Sequence, residues 1–178
     1  KVQQAEAMKN AKRAVLDVAA DFEKTFGRKY GFFEEYCMED AEVALVLIGS
    51  TAGTAKACID QLRAAGRKVG LIKIRVFRPF PGEELAQALS HVKAVAVMDK
   101  SEGFSACGGP LYAETCAACY DLPERPVLVN IVYGLGGRDV ATEDIARVYD
   151  HLFLLTRNGG QGPKYIHMGQ RSSEAEVL

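Results

Sequence analysis

The residues best placed to bind a ligand lie in loops that follow buried apolar runs. Gly49-Ser50-Thr51-Ala52-Gly53 comes directly after such a run and leads into a helical stretch. A turn of this kind can offer backbone N–H groups and two hydroxyls to a phosphate at a helix N-terminus. The loop is neither G-x-G-x-x-G nor a P-loop, because no Gly-Lys-Ser/Thr closes it. A tight structural turn with a hydroxyl N-cap needs the same residues and is the favoured interpretation, with the ligand site as the alternative.

A second glycine-rich loop, Gly134-Leu135-Gly136-Gly137-Arg138-Asp139, resembles a dinucleotide-binding fingerprint at first sight. Asp139 stands where the third glycine belongs, and the next helical pattern begins only after Thr142. That spacing moves the helix dipole away from a pyrophosphate. The loop is therefore a better candidate for a contact loop than for a nucleotide site.

Charged side chains cluster where two further strands are predicted to end. Arg75 and Arg78 follow the second strand, and arginine there could hold a carboxylate or phosphate with two hydrogen bonds. Pairing with an acid across a domain boundary is the alternative and is favoured. Asp99, Lys100 and Glu102 follow the third strand, where an aspartate is more commonly a turn or capping residue than a catalytic one.

The thiols and imidazoles form no recognisable reactive set. An odd number of cysteines without a regular framework predicts reduced thiols in the cytoplasm: Cys37, Cys58, Cys107, Cys116 and Cys119. The C-x-x-C pair at 116 and 119 lies inside an apolar helical stretch and has no second pair, which favours buried small side chains over redox or zinc chemistry. The histidines are scattered and predicted to face solvent or an interface: His91, His151 and His167.

An alternating series of strands and helices must position these loops. Short unbroken apolar runs predict strands buried on both faces at residues 43–48, 69–74, 94–98 and 127–131. Apolar residues at steps of three and four predict the intervening helices, with Thr142 as the N-cap of the last one. Strands that alternate with helices imply right-handed crossovers and a largely parallel sheet covered on both faces.

The two ends of the chain differ from this central region. Apolar steps from Met8 to Phe26 predict an amphipathic helix that Gly27 ends. It either packs on its own domain or connects to a neighbouring domain or subunit, so residues 1–31 are assigned to a connector helix and 32–155 to the α/β domain. Residues 156–178, with Gly159-Gly160 and Ser172-Ser173, have no period and are assigned to a flexible tail or an arm ordered by a partner.

Composition narrows the possible classes of function. The chain has 178 residues, 48% of them hydrophobic and 25% charged, which suits one domain plus some extra chain. A formal charge of −1 leaves no electrostatic case for nucleic acid or an anionic membrane as main partner. No apolar run approaches 18 residues. No signal peptide is visible, and because the chain begins at Lys1 we expect an upstream portion to be missing.

Four segments together resemble the α subunits of 2-oxoacid:ferredoxin oxidoreductases. They occur in the same order and spacing over about residues 32 to 155. They are the segment ending at Tyr36 with Glu39-Asp40-Ala41-Glu42 and the strand into Gly49-Ser50, the stretch from Gly66 to Pro81, Gly108-Gly109-Pro110-Leu111-Tyr112, and Gly134 to Asp139.

The resemblance implies a transketolase C-terminal-like domain. The expected fold is a three-layer αβα sandwich with a mostly parallel sheet of about five strands and an antiparallel edge strand, near Phe33 to Tyr36 or in another short segment. The intact enzymes decarboxylate a 2-oxoacid on thiamine diphosphate with Mg²⁺, pass electrons through 4Fe–4S clusters to ferredoxin, and transfer the acyl group to coenzyme A. Arg78 before Pro79-Phe80-Pro81 is more like pyruvate or branched-chain members than 2-oxoglutarate members.

The residues that perform this chemistry in the family are absent here. No Gly-Asp-Gly with paired asparagines is present for Mg²⁺ and diphosphate, and no C-x-x-C-x-x-C run for a cluster. The resemblance therefore implies a non-catalytic scaffold within a dimeric assembly of thiamine-binding and Fe–S subunits, with no catalytic or metal-binding residue in this chain. Candidate loop contacts to a cofactor are Gly49, Ser50, Thr51, Arg78 and Arg138.

Two alternatives of other classes accompany this interpretation. One is a freestanding small-ligand or nucleotide-binding α/β module, which monomeric behaviour and saturable nucleotide binding would favour. The other is a small hydrolase or transferase on a similar sheet, and the chain lacks the G-x-S-x-G elbow that would support it.

Overall fold

The computed structural model describes residues 1–170 and contains a six-stranded sheet. The strand order is β1-β3-β2-β4-β5-β6, with β1 antiparallel to β3 and every other pair parallel. This confirms the predicted mostly parallel sheet and its antiparallel edge strand, with six strands rather than about five. The strands are β1 Phe33–Tyr36, β2 Val43–Ile48, β3 Val69–Ile74, β4 Ala94–Asp99, β5 Val127–Val132 and β6 Tyr165–His167.

Helices cover both faces of the sheet. Apolar side chains of α2 and α5 pack on one face with Leu45 and Leu47, and those of α3 and α4 pack on the other with Ala44 and Val46. Because successive residues of a strand point to opposite faces, the unbroken apolar runs are buried on both sides. The helices are α1 Val2–Phe26, α2 Thr51–Ala64, α3 Gly82–Leu89, α4 Pro110–Cys119 and α5 Thr142–Arg157, with a 3-10 turn at Leu135–Gly137.

The sixth strand corrects the prediction of an aperiodic tail from residue 156 onward. β6 pairs with β5 in parallel, and Ile166 enters the core at 7% exposure. The N–H of Met168 also donates to the carbonyl of Val132 at 2.8 Å. Three residues are too few to show a period, so the pairing depends on long-range register. The predicted boundary at 155 also falls inside α5, and residues 171–178, including Ser172-Ser173, lie outside the described residues.

The first turn of α5 differs slightly from the prediction. Thr142 is the first helical residue rather than the N-cap, a position that Ala141 occupies. The Asp144 carboxylate accepts the N–H of Ala141 at 2.9 Å, which is half of a capping box. An acid at the third helical position, rather than a hydroxyl at the N-cap, therefore supplies the side-chain hydrogen bond at the start of α5.

The N-terminal helix lies outside the two cores. α1 contains no buried residue and ends at Gly27, whose left-handed backbone and N–H bond to Glu23 confirm the predicted stop. The Lys12 ammonium pairs with Glu84 of α3 at 3.1 Å, and the Phe22 ring contacts Tyr30. These few contacts attach the helix to its own domain and leave most of its surface exposed.

Candidate functional site

The carboxyl ends of β2 and β4 form the place where a fold of this type binds ligands. From β2 the chain continues to β3, on one side of β2, whereas from β4 it continues to β5, on the far side of β4. The connections after the neighbouring strands β2 and β4 therefore run in opposite directions. A pocket of about 270 Å³ opens there. Its lining consists of Ile48, Phe77, Pro110, Leu111 and residues 98–101.

The glycine loop after β2 is tied into the fold by a hydroxyl pair. Tyr133, 2% exposed, donates its hydroxyl to Thr51 Oγ1 at 3.1 Å. Gly49 has a φ of 94°, a left-handed conformation that favours glycine and agrees with a tight turn. Ser50 is the N-cap but makes no side-chain capping bond, so the predicted hydroxyl cap is wrong. The Thr51 hydroxyl thus has a structural partner. A ligand contact through Gly49, Ser50 and Thr51 stays a prediction.

The arginines after β3 find acids within the same domain. Arg78 donates to the Glu114 carboxylate at 2.6 Å and lies over the Phe77 ring, 4.2 Å from its centroid. Arg75 donates to Glu34 at 2.6 Å. Glu34 also pairs with Lys56, and hydrogen bonding to that ammonium is the main cause that lowers the pKa of Glu34. These pairs lie within one fold rather than across a domain boundary, and the cofactor contact predicted for Arg78 stays a prediction.

Asp99, the acid that ends β4, serves as a cap for α4. Its carboxylate accepts the N–H groups of Leu111 at 3.1 Å and Tyr112 at 3.0 Å. It is 6% exposed, and burial raises its pKa above the ordinary value although both hydrogen bonds lower it. The capping interpretation is confirmed, because both carboxylate oxygens are engaged by backbone donors.

The loop after β4 is held by Glu102, which belongs to the charged cluster predicted after this strand, and by Asn130, which the sequence did not indicate. Glu102 accepts the Tyr165 hydroxyl at 2.7 Å and His167 Nε2 at 2.7 Å, which fastens the loop to β6. Hydrogen bonding to Tyr165, then to His167, lowers the pKa of Glu102 to about 2. Asn130 Oδ1 accepts the Gly109 N–H at 3.1 Å. The sequence gives no signal for these contacts, because the partners are separated by 20 residues or more.

As predicted, no α-helix directly follows β5 and its glycine-rich loop. A 3-10 turn covers Leu135–Gly137, and α5 begins only at Thr142. The Arg138 side chain lies against Gly169, where an added β-carbon would stand 2.8 Å from Arg138 Cδ. The loop is thus packed beside the segment that follows β6. Whether Arg138 contacts a cofactor stays a prediction.

The cysteines and histidines of residues 1–170 form no reactive or metal-binding set. All five thiols are free, and no group of three His, Cys, Asp or Glu side chains in that range could hold a metal ion. Burial raises the pKa of Cys119 to about 11 and that of Cys116 as well, which agrees with inert structural thiols. His151 corrects the prediction of exposed histidines, because it is 8% exposed and hydrogen-bonded to the Pro163 carbonyl at 2.8 Å.

Among residues 1–170, no helix is long and apolar enough to cross a membrane.

Comparison with known proteins gives a consistent result. Residues 41–145 match the family model of the pyruvate:ferredoxin oxidoreductase core domain II. The chain is 48% identical over 150 residues to the pyruvate synthase subunit PorA of Thermotoga maritima, which covers 84% of this chain. It is 41% identical over 161 residues to the α subunit of the NADH-dependent phenylglyoxylate dehydrogenase of Aromatoleum evansii, which covers 90%. The chain spans 38% of the length of each of these relatives.

A solved structure supports the same fold. A split-gene transketolase, solved as an inactive tetramer of four beta subunits, superimposes on this chain with a TM-score of 0.52 at 20% identity. The superposition covers 73% of this chain and 44% of that one. At this identity the likeness concerns the fold alone, and it confirms the transketolase-like architecture.

Proposed function

The chain belongs to the pyruvate:ferredoxin oxidoreductase family, of which it carries core domain II, and we propose that it is a non-catalytic structural domain of such an enzyme. The whole enzyme would oxidatively decarboxylate a 2-oxoacid with coenzyme A to acyl-CoA, CO₂ and reduced ferredoxin. Pyruvate is the proposed substrate, since the PorA relative is a pyruvate synthase subunit. A relative at 41% identity is named for another 2-oxoacid, phenylglyoxylate, so turnover assays with both acids test the proposed substrate.

The use of polar groups at the ligand-binding edge supports a structural role. Asp99, the buried acid at the β2/β4 divergence, uses both oxygens to cap α4. Thr51 and Arg78 are likewise engaged, by Tyr133 and Glu114. A catalytic acid, base or nucleophile must reach the substrate with a group that is free to react. The Asp99 cap is the observation that carries the proposal.

The cofactors of the whole enzyme are proposed to bind mainly outside this chain. Thiamine diphosphate with Mg²⁺, 4Fe–4S clusters and coenzyme A follow from the family. The described thiols do not fit an Fe–S cluster, because Cys58 and Cys119 are buried in different cores and no three candidate ligands converge. Contacts to a cofactor or a neighbouring domain are proposed for the loop residues Gly49, Ser50, Thr51, Arg78 and Arg138.

The proposed partners are the remaining parts of the same enzyme. They include a thiamine-binding subunit and an Fe–S subunit in a dimeric, cytoplasmic assembly with ferredoxin as electron acceptor. Residues 1–31 would serve as a connector helix, 32–155 as the main body of the domain, and 156–178 as an arm that begins by adding β6 to the sheet. The exposed apolar surface of α1 supports the connector role.

A freestanding small-ligand module is the alternative function. The pocket of about 270 Å³ at the β2/β4 divergence is the observation in its favour. It predicts a monomer that binds a nucleotide or another small molecule saturably.

Co-purification from the native host tests the two functions directly. A tagged chain should recover thiamine-binding and Fe–S subunits, a brown colour and oxoacid-dependent reduction of ferredoxin. A colourless monomer that binds a nucleotide would reject the assembly in favour of the freestanding module.

Within the assembly, Arg138→Gln should lower oxoacid turnover if the loop contacts a cofactor or neighbour. The exposed Arg125→Gln is the matched control and should leave turnover unchanged.

A further inference from the structure

The pocket at the carboxyl ends of β2 and β4 has a mostly apolar lining. Five of its eight lining residues are apolar, and they come from segments that are far apart in the sequence. They are Ile48, Phe77, Met98, Pro110 and Leu111. Ile48 ends β2 and keeps 43% of its surface exposed, although the rest of the strand is buried. A concave site with this lining favours a ligand that has apolar atoms to bury.

Lys100 contributes a positive charge to this pocket, and a glycine makes room for its side chain. Gly134 follows β5 with a left-handed backbone, at a φ of 63°. A β-carbon added there would stand 2.9 Å from Lys100 Cε and 3.3 Å from its Cγ. The lysine stem thus lies in space that any side chain at position 134 would occupy. The close packing on Gly134 restricts the positions that the ammonium group can take.

The acids that are next to Lys100 in the sequence have other partners. Asp99 lines the same pocket, but its two oxygens accept N–H groups in the first turn of α4. The positive end of that helix compensates the charge of the carboxylate. Glu102 is engaged by Tyr165 and His167 of β6. Within residues 1–170 the Lys100 ammonium therefore has no carboxylate partner and is available to a ligand.

The size of the pocket and the occupied start of α4 argue against a nucleotide as its ligand. The volume of about 270 Å³ lies just below the usual range of about 300–1,000 Å³ for sites of drug-sized molecules. A phosphate is commonly held by N–H groups at a helix N-terminus. Here the carboxylate of Asp99 already takes those of Leu111 and Tyr112. A small apolar space with one ammonium instead fits a compact apolar molecule that carries a single carboxylate.

We propose that this pocket binds a small apolar monocarboxylate, with the carboxylate at the Lys100 ammonium and the apolar part against Ile48 and Phe77. The proposed site goes beyond the structural role of the chain and does not depend on it, because the lining residues all belong to this chain. Co-purification tests the assembly, and ligand binding by the purified chain tests the pocket. Either result can be negative while the other is positive.

Methyl NMR of the purified chain tests the site, with benzoate as the probe and ¹³C-methyl labels on the four methionines. Met98 lines this pocket, whereas Met38 and Met168 line other cavities and Met8 lies on α1. Benzoate should shift the Met98 signal saturably and leave the other three in place. Benzamide, which has the same shape without the charge, should bind roughly fivefold more weakly. No saturable shift of Met98, equal shifts of all four signals, or equal affinity for benzamide would overturn the proposal.

Substitution of the lysine tests the charged contact from the side of the protein. Lys100→Gln should weaken benzoate binding roughly fivefold, and Lys100→Arg should retain most of it because the positive charge remains. Lys164→Gln is the matched control, since Lys164 is exposed at the opposite edge of the sheet, just before β6, and should bind benzoate like the wild type. Urea unfolding of each variant verifies its fold. Undiminished binding by Lys100→Gln, or an equal loss in Lys164→Gln, would contradict the proposal.

Discussion

Gly109 lies against the carboxylate of Asp99 so closely that no side chain fits between them. A β-carbon at position 109 would stand 2.5 Å from Asp99 Cγ and 2.7 Å from its Cβ. The close approach lets the carboxylate reach the N–H groups of Leu111 and Tyr112 at the start of α4. Glycine is thus required at 109 by space rather than by a left-handed backbone, since its φ is −68°.

Replacement of this glycine should disturb the cap. Gly109→Ala is expected to lower the free energy of unfolding by about 1–3 kcal/mol, because the carboxylate or the helix must move. Urea denaturation followed by circular dichroism measures the change. Gly53→Ala is the matched control, since Gly53 lies in α2 with nothing near its missing β-carbon. It should raise stability by about 0.5–1 kcal/mol through helix propensity. Equal effects at both positions would contradict the steric argument.

The loop anchor at Glu102 should make stability depend on acidic pH. Hydrogen bonds from Tyr165, His167 and the Phe104 N–H lower the pKa of Glu102 from 4.5 to about 2 in the folded chain. Because the folded pKa lies below the unfolded one, this stabilisation is complete above about pH 4.5 and is lost as the pH falls towards 2. The difference in unfolding free energy between wild type and Glu102→Gln should therefore be largest near pH 6 and shrink below pH 4.

A control separates this effect from general acid unfolding. Glu124 is an exposed carboxylate in the connection between α4 and β5. Glu124→Gln should unfold like the wild type from pH 6 to pH 3. A pH-independent difference for Glu102→Gln would mean that its ionised carboxylate does not hold the loop.

The hydroxyl of Tyr149 crosses the core to reach the backbone of β3. It donates to the Gly70 carbonyl at 2.8 Å and is completely buried, and burial raises its pKa well above 10. Tyr149→Phe should cost about 1–2 kcal/mol of unfolding free energy, since it removes a buried hydrogen bond. Tyr120→Phe, at a residue that is 70% exposed, should change stability by less than about 0.5 kcal/mol. Thermal or urea unfolding of both variants decides the point.

Thiol labelling should distinguish the cysteines by burial. In the folded chain Cys107 is exposed and should react first with a maleimide, and the half-buried Cys116 should follow slowly. Cys58 and Cys119 should react only after unfolding, because both are buried and burial raises the pKa of each. Mass spectrometry of timed samples gives the order. Fast labelling of Cys119 would revive a chemical role for the C-x-x-C pair.

Local sequence was sufficient to predict the central strands and their order of connection. The runs 43–48 and 69–74 coincide with β2 and β3, because residues buried on both faces of a parallel sheet must all be apolar. The glycine that ends α1 was also predicted from its neighbours in the sequence. These features depend on residues within a few positions of one another, so residue types and their spacing are enough to predict them.

Contacts between segments that are distant in the sequence could be identified only from the tertiary structure. The pairing of β6 with β5 depends on register, and so do the bonds from Tyr133 to Thr51 and from Tyr165 and His167 to Glu102. Arg78 could be recognised as a cation in need of an acidic partner, but only the folded structure, which brings α4 near the segment after β3, identified that acid as Glu114. Residue types thus determined which elements form and which groups need partners. The tertiary arrangement decided which partners they meet, because hydrogen bonds and ion pairs require proximity that sequence separation does not encode.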